Sequence, residues 1–103
     1  MHLVLGNSIA KLSNSIYDTP VLVCAKSHLR KNLPVLIGIA TKDGLGSNAE
    51  NIGKLLNLKN VFFIPFTQDN PITKPTSLVF SPKYIIKSIE SSLDYEQIQP
   101  LLL

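Results

Sequence analysis

Two unbroken apolar runs dominate the hydrophobic pattern of this chain, at residues 34–40 and 61–66. Neither run alternates with polar residues, which is typical of parallel strands covered on both faces. The segment between them begins with a capping-box pattern at residues 47–50 and continues with apolar residues at helical spacing. Strand, helix and strand in about 30 residues predict a right-handed βαβ unit.

The amino-terminal third predicts one more strand and two helices. A short apolar run at residues 3–5 leads into a small polar turn at residues 6–8, from which a first helix continues. Either Asp18 or Thr19 then caps a second helix. Pro20 stands in the first turn of that helix, where its missing N–H costs nothing.

The carboxyl-terminal third predicts a loop, a strand, a helix and a tail. After a polar loop at residues 67–77, a short strand at residues 78–80 precedes a helix that starts near Pro82. A tail at residues 94–103 ends in three leucines, which need a partner or a groove. The side chains expected to face inward from this last helix are Tyr84, Ile85, Ile89 and Leu93.

These elements form a single domain over residues 1–103, of the three-layer α/β/α, Rossmann-like class with a mostly parallel sheet. In open sheets of this class, ligands bind beyond the carboxyl ends of the strands. That rule selects the loops at residues 6–8, 41–47 and 67–77 as candidate sites.

Composition and charge narrow the function classes. With 103 residues and 45% hydrophobic content, the chain fits one small domain. The net charge of +3 comes from dispersed basic residues, too few in any one place for a nucleic-acid surface but suited to anionic small molecules. The single cysteine rules out a disulfide framework within the chain and favours a reducing compartment. No apolar run approaches the roughly 20 residues needed to cross a bilayer, so we expect a cytoplasmic protein without membrane or nucleic-acid partners.

The loop at residues 41–47 carries the strongest candidate chemistry. Lys42 offers a cation, Gly44 allows a ligand close to the backbone, and the following helix start favours an anion. Thr41 and Asp43 flank Lys42 and would line the same site. An ordinary strand-to-helix connection explains these residue types equally well.

The other two loops have both a binding and a structural interpretation. In the loop at residues 67–77, Gln68, Asp69 and Lys74 are candidate substrate-binding residues, with Lys74 able to face a dicarboxylate. Turn chemistry alone also explains much of that loop. In the turn at residues 6–8, Asn7 and Ser8 either cap the helix or present backbone N–H groups to an anion.

Two further reactive side chains are expected to be structural. Cys24 falls in the second predicted helix and is interpreted as a small core residue. His28 near the end of that helix is interpreted as a surface or capping residue, since no carboxylate or nucleophile is spaced to orient it. The sequence assigns no residue to catalysis.

Several motifs occur in a characteristic order and spacing, among them Gly6-Asn7-Ser8, Lys11-Leu12-Ser13-Asn14, Asp18-Thr19-Pro20-Val21-Leu22, Thr41-Lys42-Asp43-Gly44-Leu45-Gly46, Lys59-Asn60-Val61-Phe62-Phe63-Ile64-Pro65-Phe66 and Gln68-Asp69-Asn70. Together these motifs resemble the family of the B subunit of dipicolinate synthase, in the flavin-containing decarboxylase-like superfamily. The family's flavin-binding motif resembles Pro-Leu-Thr-Gly-Asn-Ser, and its last three positions are Gly6, Asn7 and Ser8. Residues 3–5 depart from this motif, which predicts a carboxyl-terminal portion of a flavoprotein-like domain that binds FMN weakly or not at all by itself.

The resemblance implies a part in the oxidation of dihydrodipicolinate to the dicarboxylate dipicolinate during sporulation, in the cytoplasm of the mother cell. It also implies that FMN is the flavin, that the A subunit of the synthase is the partner, and that this partner carries NADP. Assembly into a homo-oligomer is implied as well, with little activity for this chain alone. Two alternatives remain: a non-catalytic assembly or regulatory module that docks on the A subunit, and an inactive truncated remnant. The substrate-clamp cysteine of the superfamily's decarboxylases has no counterpart here, which disfavours peptide decarboxylation.

Overall fold

The computed structural model describes residues 2–42 and 44–103, with side chains from residue 10 onward. In chain order the elements are β1 (His2–Leu5), α1 (Gly6–Ser13), α2 (Pro20–Arg30), β2 (Val35–Thr41), α3 (Ala49–Leu56), β3 (Val61–Phe63), β4 (Phe66–Asn70), β5 (Lys74–Phe80), a 3₁₀ turn (Pro82–Tyr84) and α4 (Ile85–Leu93).

Strand β2 is the centre of the sheet. It runs parallel to β1 on one side and to β3 on the other, which confirms the predicted βαβ unit. The last two residues of β2 pair antiparallel with β5, and β5 pairs antiparallel with β4. The expected parallel arrangement therefore holds for β1, β2 and β3, whereas the β4–β5 hairpin makes the described sheet mixed.

The hairpin corrects the prediction of a loop at residues 67–77. Its turn is closed by the Asn70 side chain, whose Oδ1 accepts hydrogen bonds from the backbone N–H groups of Ile72 and Thr73 at 3.1 and 3.2 Å. Near this turn, most residues of β4 and β5 are exposed, and polar side chains occupy both faces of the hairpin. A strand of this kind lacks the apolar periodicity by which strands are found in a sequence.

The three-layer arrangement is confirmed. Successive side chains of β2 point to opposite faces of the sheet, so that Ile37 contributes to one core cluster and Leu36 to another. Helices α1, α2 and α3 cover the Ile37 face, and the 3₁₀ turn with the start of α4 covers the Leu36 face.

Helix α2 begins as predicted, but its buried face does not include Cys24. The Oγ1 of Thr19 accepts a hydrogen bond from the backbone N–H of Leu22 at 3.3 Å, and Pro20 follows as the first helical residue. Leu22 and Ala25 are buried, but Cys24 is exposed, which contradicts its assignment to the core. The buried pair is spaced three positions apart and so forms one row along the helix, and Cys24 lies outside that row.

Helix α4 is rotated relative to the prediction. Ile89 and Leu93 were expected to face inward, but they are 37% and 65% exposed, whereas Ser88 and Ser92 are buried. Ser92 satisfies its hydroxyl by donating to the carbonyl of Ile89 at 2.9 Å. Small side chains on the inner face allow the helix to approach the sheet closely, and hydrophobicity alone would have chosen the isoleucine instead.

The tail at residues 94–103 lies along the outer edge of β3 and β4. The side-chain amide of Gln97 accepts from the N–H of Phe63 and donates to its carbonyl, both at 2.7 Å, as a neighbouring strand would. Further on, the N–H of Phe66 donates to the carbonyl of Leu101, and the N–H of Leu103 donates to that of Phe66. The chain's own sheet thus provides the expected groove for Leu101, which packs against the core, whereas the side chains of Leu102 and Leu103 remain 49% and 44% exposed.

Candidate functional site at the carboxyl edge of the sheet

The carboxyl ends of β1 and β2 lie side by side. Their parallel register pairs Leu5 with Ala40, so the start of α1 at Gly6 and the loop that follows Thr41 emerge next to each other. This is the edge at which open α/β sheets bind ligands. Of the predicted cofactor residues Gly6, Asn7 and Ser8, the structure describes the backbone, which forms the first turn of α1.

A shallow cleft of about 240 Å³ opens at this edge, between β2 and the β4–β5 hairpin. Four of the predicted substrate-binding residues meet there, although they come from two separate segments of the sequence. The cleft, called the edge cleft below, is lined by Ala40, Thr41, Lys42, Asp69, Lys74, Ser77, Leu78 and Val79.

Of the two lysines in the edge cleft, one is paired with a carboxylate and the other has no carboxylate partner among the described residues. Lys74 Nζ lies 3.6 Å from Asp69 Oδ2, and both side chains are about half exposed, so this ion pair is weak and screened by solvent. Lys42 is exposed and has no ion pair within the described part of the chain. Among the described lining residues, two lysines face one aspartate, so Lys42 offers a cation that no described carboxylate neutralises.

A chain of side-chain hydrogen bonds supports the edge cleft from behind. The Oγ of Ser13 donates to Asn51, Asn51 donates to Asn48, and Asn48 donates to the Oγ1 of Thr41, at 2.8, 2.8 and 3.2 Å. Thr41 and Asn48 are buried, so these bonds satisfy polar groups that water does not reach. Thr41 is therefore held in place by α1 and α3.

Strand β5 fixes the first residues of the predicted binding loop. The Oγ1 of Thr76 donates to the carbonyl of Lys42 at 2.9 Å, and the N–H of Leu45 donates to the carbonyl of Thr76 at 3.0 Å. Gly44 lies against Leu78, where an added Cβ would approach Leu78 Cδ1 to 2.6 Å. Packing therefore accounts for this glycine, which is buried and, although predicted to bind substrate, does not line the edge cleft.

The remaining predicted residues are placed differently. Gln68 lies on β4 outside the edge cleft, and its Nε2 donates across the hairpin to the carbonyl of Pro75 at 2.9 Å. Asp43 lies outside the described residues. His28 is exposed on α2, as expected, with its Nδ1 3.4 Å from the carbonyl of Pro34.

Sequence reasoning missed the three residues that support Thr41. Asn48 and Asn51 are spaced to share one face of α3, and this spacing was the signal available in the sequence. Their contact with Ser13 depends on how α1 packs against α3, for which the sequence offers no local pattern.

A larger cavity of about 750 Å³ lies at the amino ends of β2 and β3. Its lining includes Asn32, Val61 and Tyr95, and Lys59 is its single charged residue among those described. The edge cleft is the better candidate despite its smaller volume, because it gathers the predicted charged groups at the end of the sheet where ligands bind.

Among the described residues, no group of three or more His, Cys, Asp or Glu could hold a metal ion. None of the helices in the described residues has both the length and the apolar character needed to span a bilayer.

The topology and the edge cleft define a Rossmann-like α/β protein with a candidate anion site at the carboxyl edge of its sheet. No family model matches the chain. Its sequence is 47% identical over 97 residues to the B subunit of dipicolinate synthase of Bacillus subtilis (strain 168), a match that covers 94% of this chain and 48% of that protein. The crystal structure of the B subunit of dipicolinate synthase from Bacillus halodurans C superposes with a TM-score of 0.93 at 47% identity, covering 96% of this chain and 51% of the other.

The predicted resemblance to the B subunits of dipicolinate synthase is therefore confirmed in both sequence and fold. The chain spans about half the length of these relatives.

Proposed function

We propose that the chain provides part of the B subunit of a dipicolinate synthase and takes part in the oxidation of dihydrodipicolinate to dipicolinate. The observation that carries this proposal is the 47% identity to the Bacillus subtilis B subunit, which extends over 94% of the chain rather than over one motif. The TM-score of 0.93 adds that the aligned residues also keep their three-dimensional arrangement.

The edge cleft has the charge that this substrate class requires. Dihydrodipicolinate and dipicolinate each carry two carboxylates, and Lys42 offers an exposed cation that is not committed to an ion pair in the described part of the chain. Lys74 and Asp69 already neutralise each other in part, so Lys42 would hold a carboxylate while Lys74 extends the positive edge. The buried hydrogen bonds behind Thr41 would keep the loop in the geometry that this contact needs.

The cofactor arrangement is part of the same proposal. The first turn of α1, directly beside the end of β2, is a suitable place for the phosphate of FMN, so Gly6, Asn7 and Ser8 would hold that group. A bound flavin, or the NADP of the partner A subunit, would supply the hydride chemistry. This chain's own residues would bind and orient the dicarboxylate. Assembly with the A subunit in the cytoplasm of a sporulating mother cell follows from the same relationship.

A chimera tests the proposal. The matching segment of the Bacillus subtilis B subunit would be replaced by this chain, and the chimera would be assayed together with the A subunit for dipicolinate formation. We expect activity within about tenfold of the parent, a loss of no more than about 1.4 kcal/mol in transition-state stabilisation. A parent protein that carries a deletion of the same segment serves as the control. A well-folded chimera that binds the A subunit but forms no more dipicolinate than the deletion would contradict the proposal.

A further inference from the structure

Helix α4 presents an apolar stripe to solvent on the face that the sheet does not cover. The stripe consists of Ile86, Ile89 and Leu93, which are 73%, 37% and 65% exposed. These residues follow each other at helical spacing, so they form one row along the helix, called the α4 stripe below. Three large apolar side chains in one exposed row give another molecule an apolar surface to cover.

The charges beside the α4 stripe run opposite to the order that a helix dipole favours. Lys83 and Lys87 lie at the amino-terminal end, and Glu90 and Asp94 lie at the carboxyl-terminal end. The first turn of α4, all of whose residues are described, has no acidic residue, and its last turn has no basic residue. The dipole disfavours this order, and the like-charge pairs at four-residue spacing repel each other.

The same arrangement is complementary to itself. Lys87 and Asp94, the C-cap of α4, are seven residues or about two helical turns apart and border the same side of the α4 stripe, beside Glu90. Lys83 lies in the 3₁₀ turn directly before α4, also seven residues from Glu90. Lys83 and Asp94 lie at equal distances in sequence from the point between Ser88 and Ile89, and so do Lys87 and Glu90. A two-fold axis at that point would bring the basic end of one helix against the acidic end of another.

None of these four side chains forms an ion pair with another described residue. Lys83 Nζ lies 5.5 Å from the ring centroid of Tyr84, a contact that leaves its charge uncompensated. The charges are therefore available to a partner, and the partner that fits them is an antiparallel copy of the same helix.

We propose that the chain forms a two-fold symmetric dimer through α4. In this dimer the α4 stripes pack against each other, Lys83 pairs with Asp94 of the second copy, and Lys87 pairs with Glu90 of the second copy. One short helix buries less than the roughly 800 Å² per partner of a standard interface, so the dimer is weak and depends on concentration and salt.

Charge reversal on separate chains tests the dimer. The acidic variant carries Lys83→Glu and Lys87→Glu, and the basic variant carries Glu90→Lys and Asp94→Lys. Each alone places like charges across the two-fold axis, whereas a mixture of the two places opposite charges there. All four positions are exposed, and circular dichroism would verify that both variants remain folded.

We expect sedimentation velocity to show a wild-type dimer whose dissociation constant rises with added salt. Each variant alone should dimerise at least about tenfold more weakly, and their equimolar mixture should recover the wild-type affinity or better. An Ile86→Gln and Leu93→Gln variant should also be monomeric. Variants that dimerise like the wild type, or a mixture no tighter than its components, would overturn the proposal. A wild-type chain that stays monomeric, and gains mass through α4 only when the A subunit is added, would overturn it equally.

Discussion

Lys42 and Lys74 lie in the same cleft but differ in what surrounds their charges. Lys74 lies 3.6 Å from a carboxylate oxygen of Asp69, and an anion approaching it would have to compete with that carboxylate. Lys42 has no ion pair in the described residues, and its carbonyl is held by Thr76, which fixes the backbone beneath it. We therefore expect Lys42 to contribute more than Lys74 to the binding of a dicarboxylate.

Replacing Lys42 with methionine in the chimera should remove one charge-assisted hydrogen bond to substrate. The expected loss is about 1.5–3 kcal/mol, or roughly 10- to 150-fold in kcat/KM for dipicolinate formation. Lys59→Met is the matched control, because Lys59 is also exposed but lines the cavity at the opposite edge of the sheet. Equal and near-parental activity of the two variants would show that the edge cleft does not bind the substrate through Lys42.

At the scale of single residues, the sequence predicted four of the side chains that meet in the edge cleft. Thr41 follows the other residues of a buried strand and Lys42 comes directly after it, as the rule about strand ends requires, whereas Asp69 and Lys74 reach the same edge through the β4–β5 hairpin, which the sequence did not predict. Asn48 could not be found in this way. Its role depends on the distance between α3 and the end of β2, which only the folded chain defines.

The contact between the binding loop and β5 is an interaction between two elements, and Gly44 tests it. Gly44→Ala would place a Cβ 2.6 Å from Cδ1 and 2.8 Å from Cγ of Leu78, a buried residue with little room to move. We expect a loss of about 1–3 kcal/mol in the free energy of unfolding, measured by urea denaturation. The cause would be overpacking between the loop and the strand.

Gly53→Ala is the control for that variant. Gly53 lies within α3, and an added Cβ there would meet no atom within 4 Å. Alanine should therefore stabilise the helix by about 0.5–1 kcal/mol. A Gly44→Ala variant as stable as the wild type would mean that the loop does not pack on Leu78 in solution.

At the scale of elements, the sequence predicted those with a long apolar run or a clear start signal and missed the polar ones, and the run predicted as one strand at residues 61–66 is divided between β3 and the start of β4. Strand β2 and the cap of α2 came directly from the pattern. The β4–β5 hairpin did not, because most of its residues near the turn are solvated and its pairing consists of backbone hydrogen bonds. The rotation of α4 was missed because Ser88 and Ser92 face the sheet for their size rather than for their hydrophobicity.

At the scale of the whole molecule, the carboxyl-terminal tail forms hydrogen bonds with the outer edge of the sheet. Gln97 gives the outer edge of β3 both a hydrogen-bond donor and an acceptor, 34 positions away from Phe63 in the sequence. Gln97→Ala should leave the N–H and the carbonyl of Phe63 without these partners, at a cost of about 1–3 kcal/mol in the free energy of unfolding. Thermal or urea unfolding would measure the loss.

Glu96→Ala is the matched surface control, since the Glu96 side chain is exposed and forms no ion pair with another described residue. We expect its unfolding free energy to stay within about 0.5 kcal/mol of the wild type. If Gln97→Ala were equally neutral, water would satisfy the edge of β3 as well as the tail does.

The exposed thiol of Cys24 bears on any measurement of association. It lies on α2, in the layer opposite to α4, and it is the single cysteine of the chain. Air oxidation can join two chains through this thiol, and the product would be a covalent dimer with both α4 stripes still open to solvent. Such a species has the mass of the non-covalent dimer but joins the two chains through their opposite layers. A reducing agent removes the disulfide-linked pair and leaves a helix-mediated pair intact, so the redox state of the sample decides which of the two is observed.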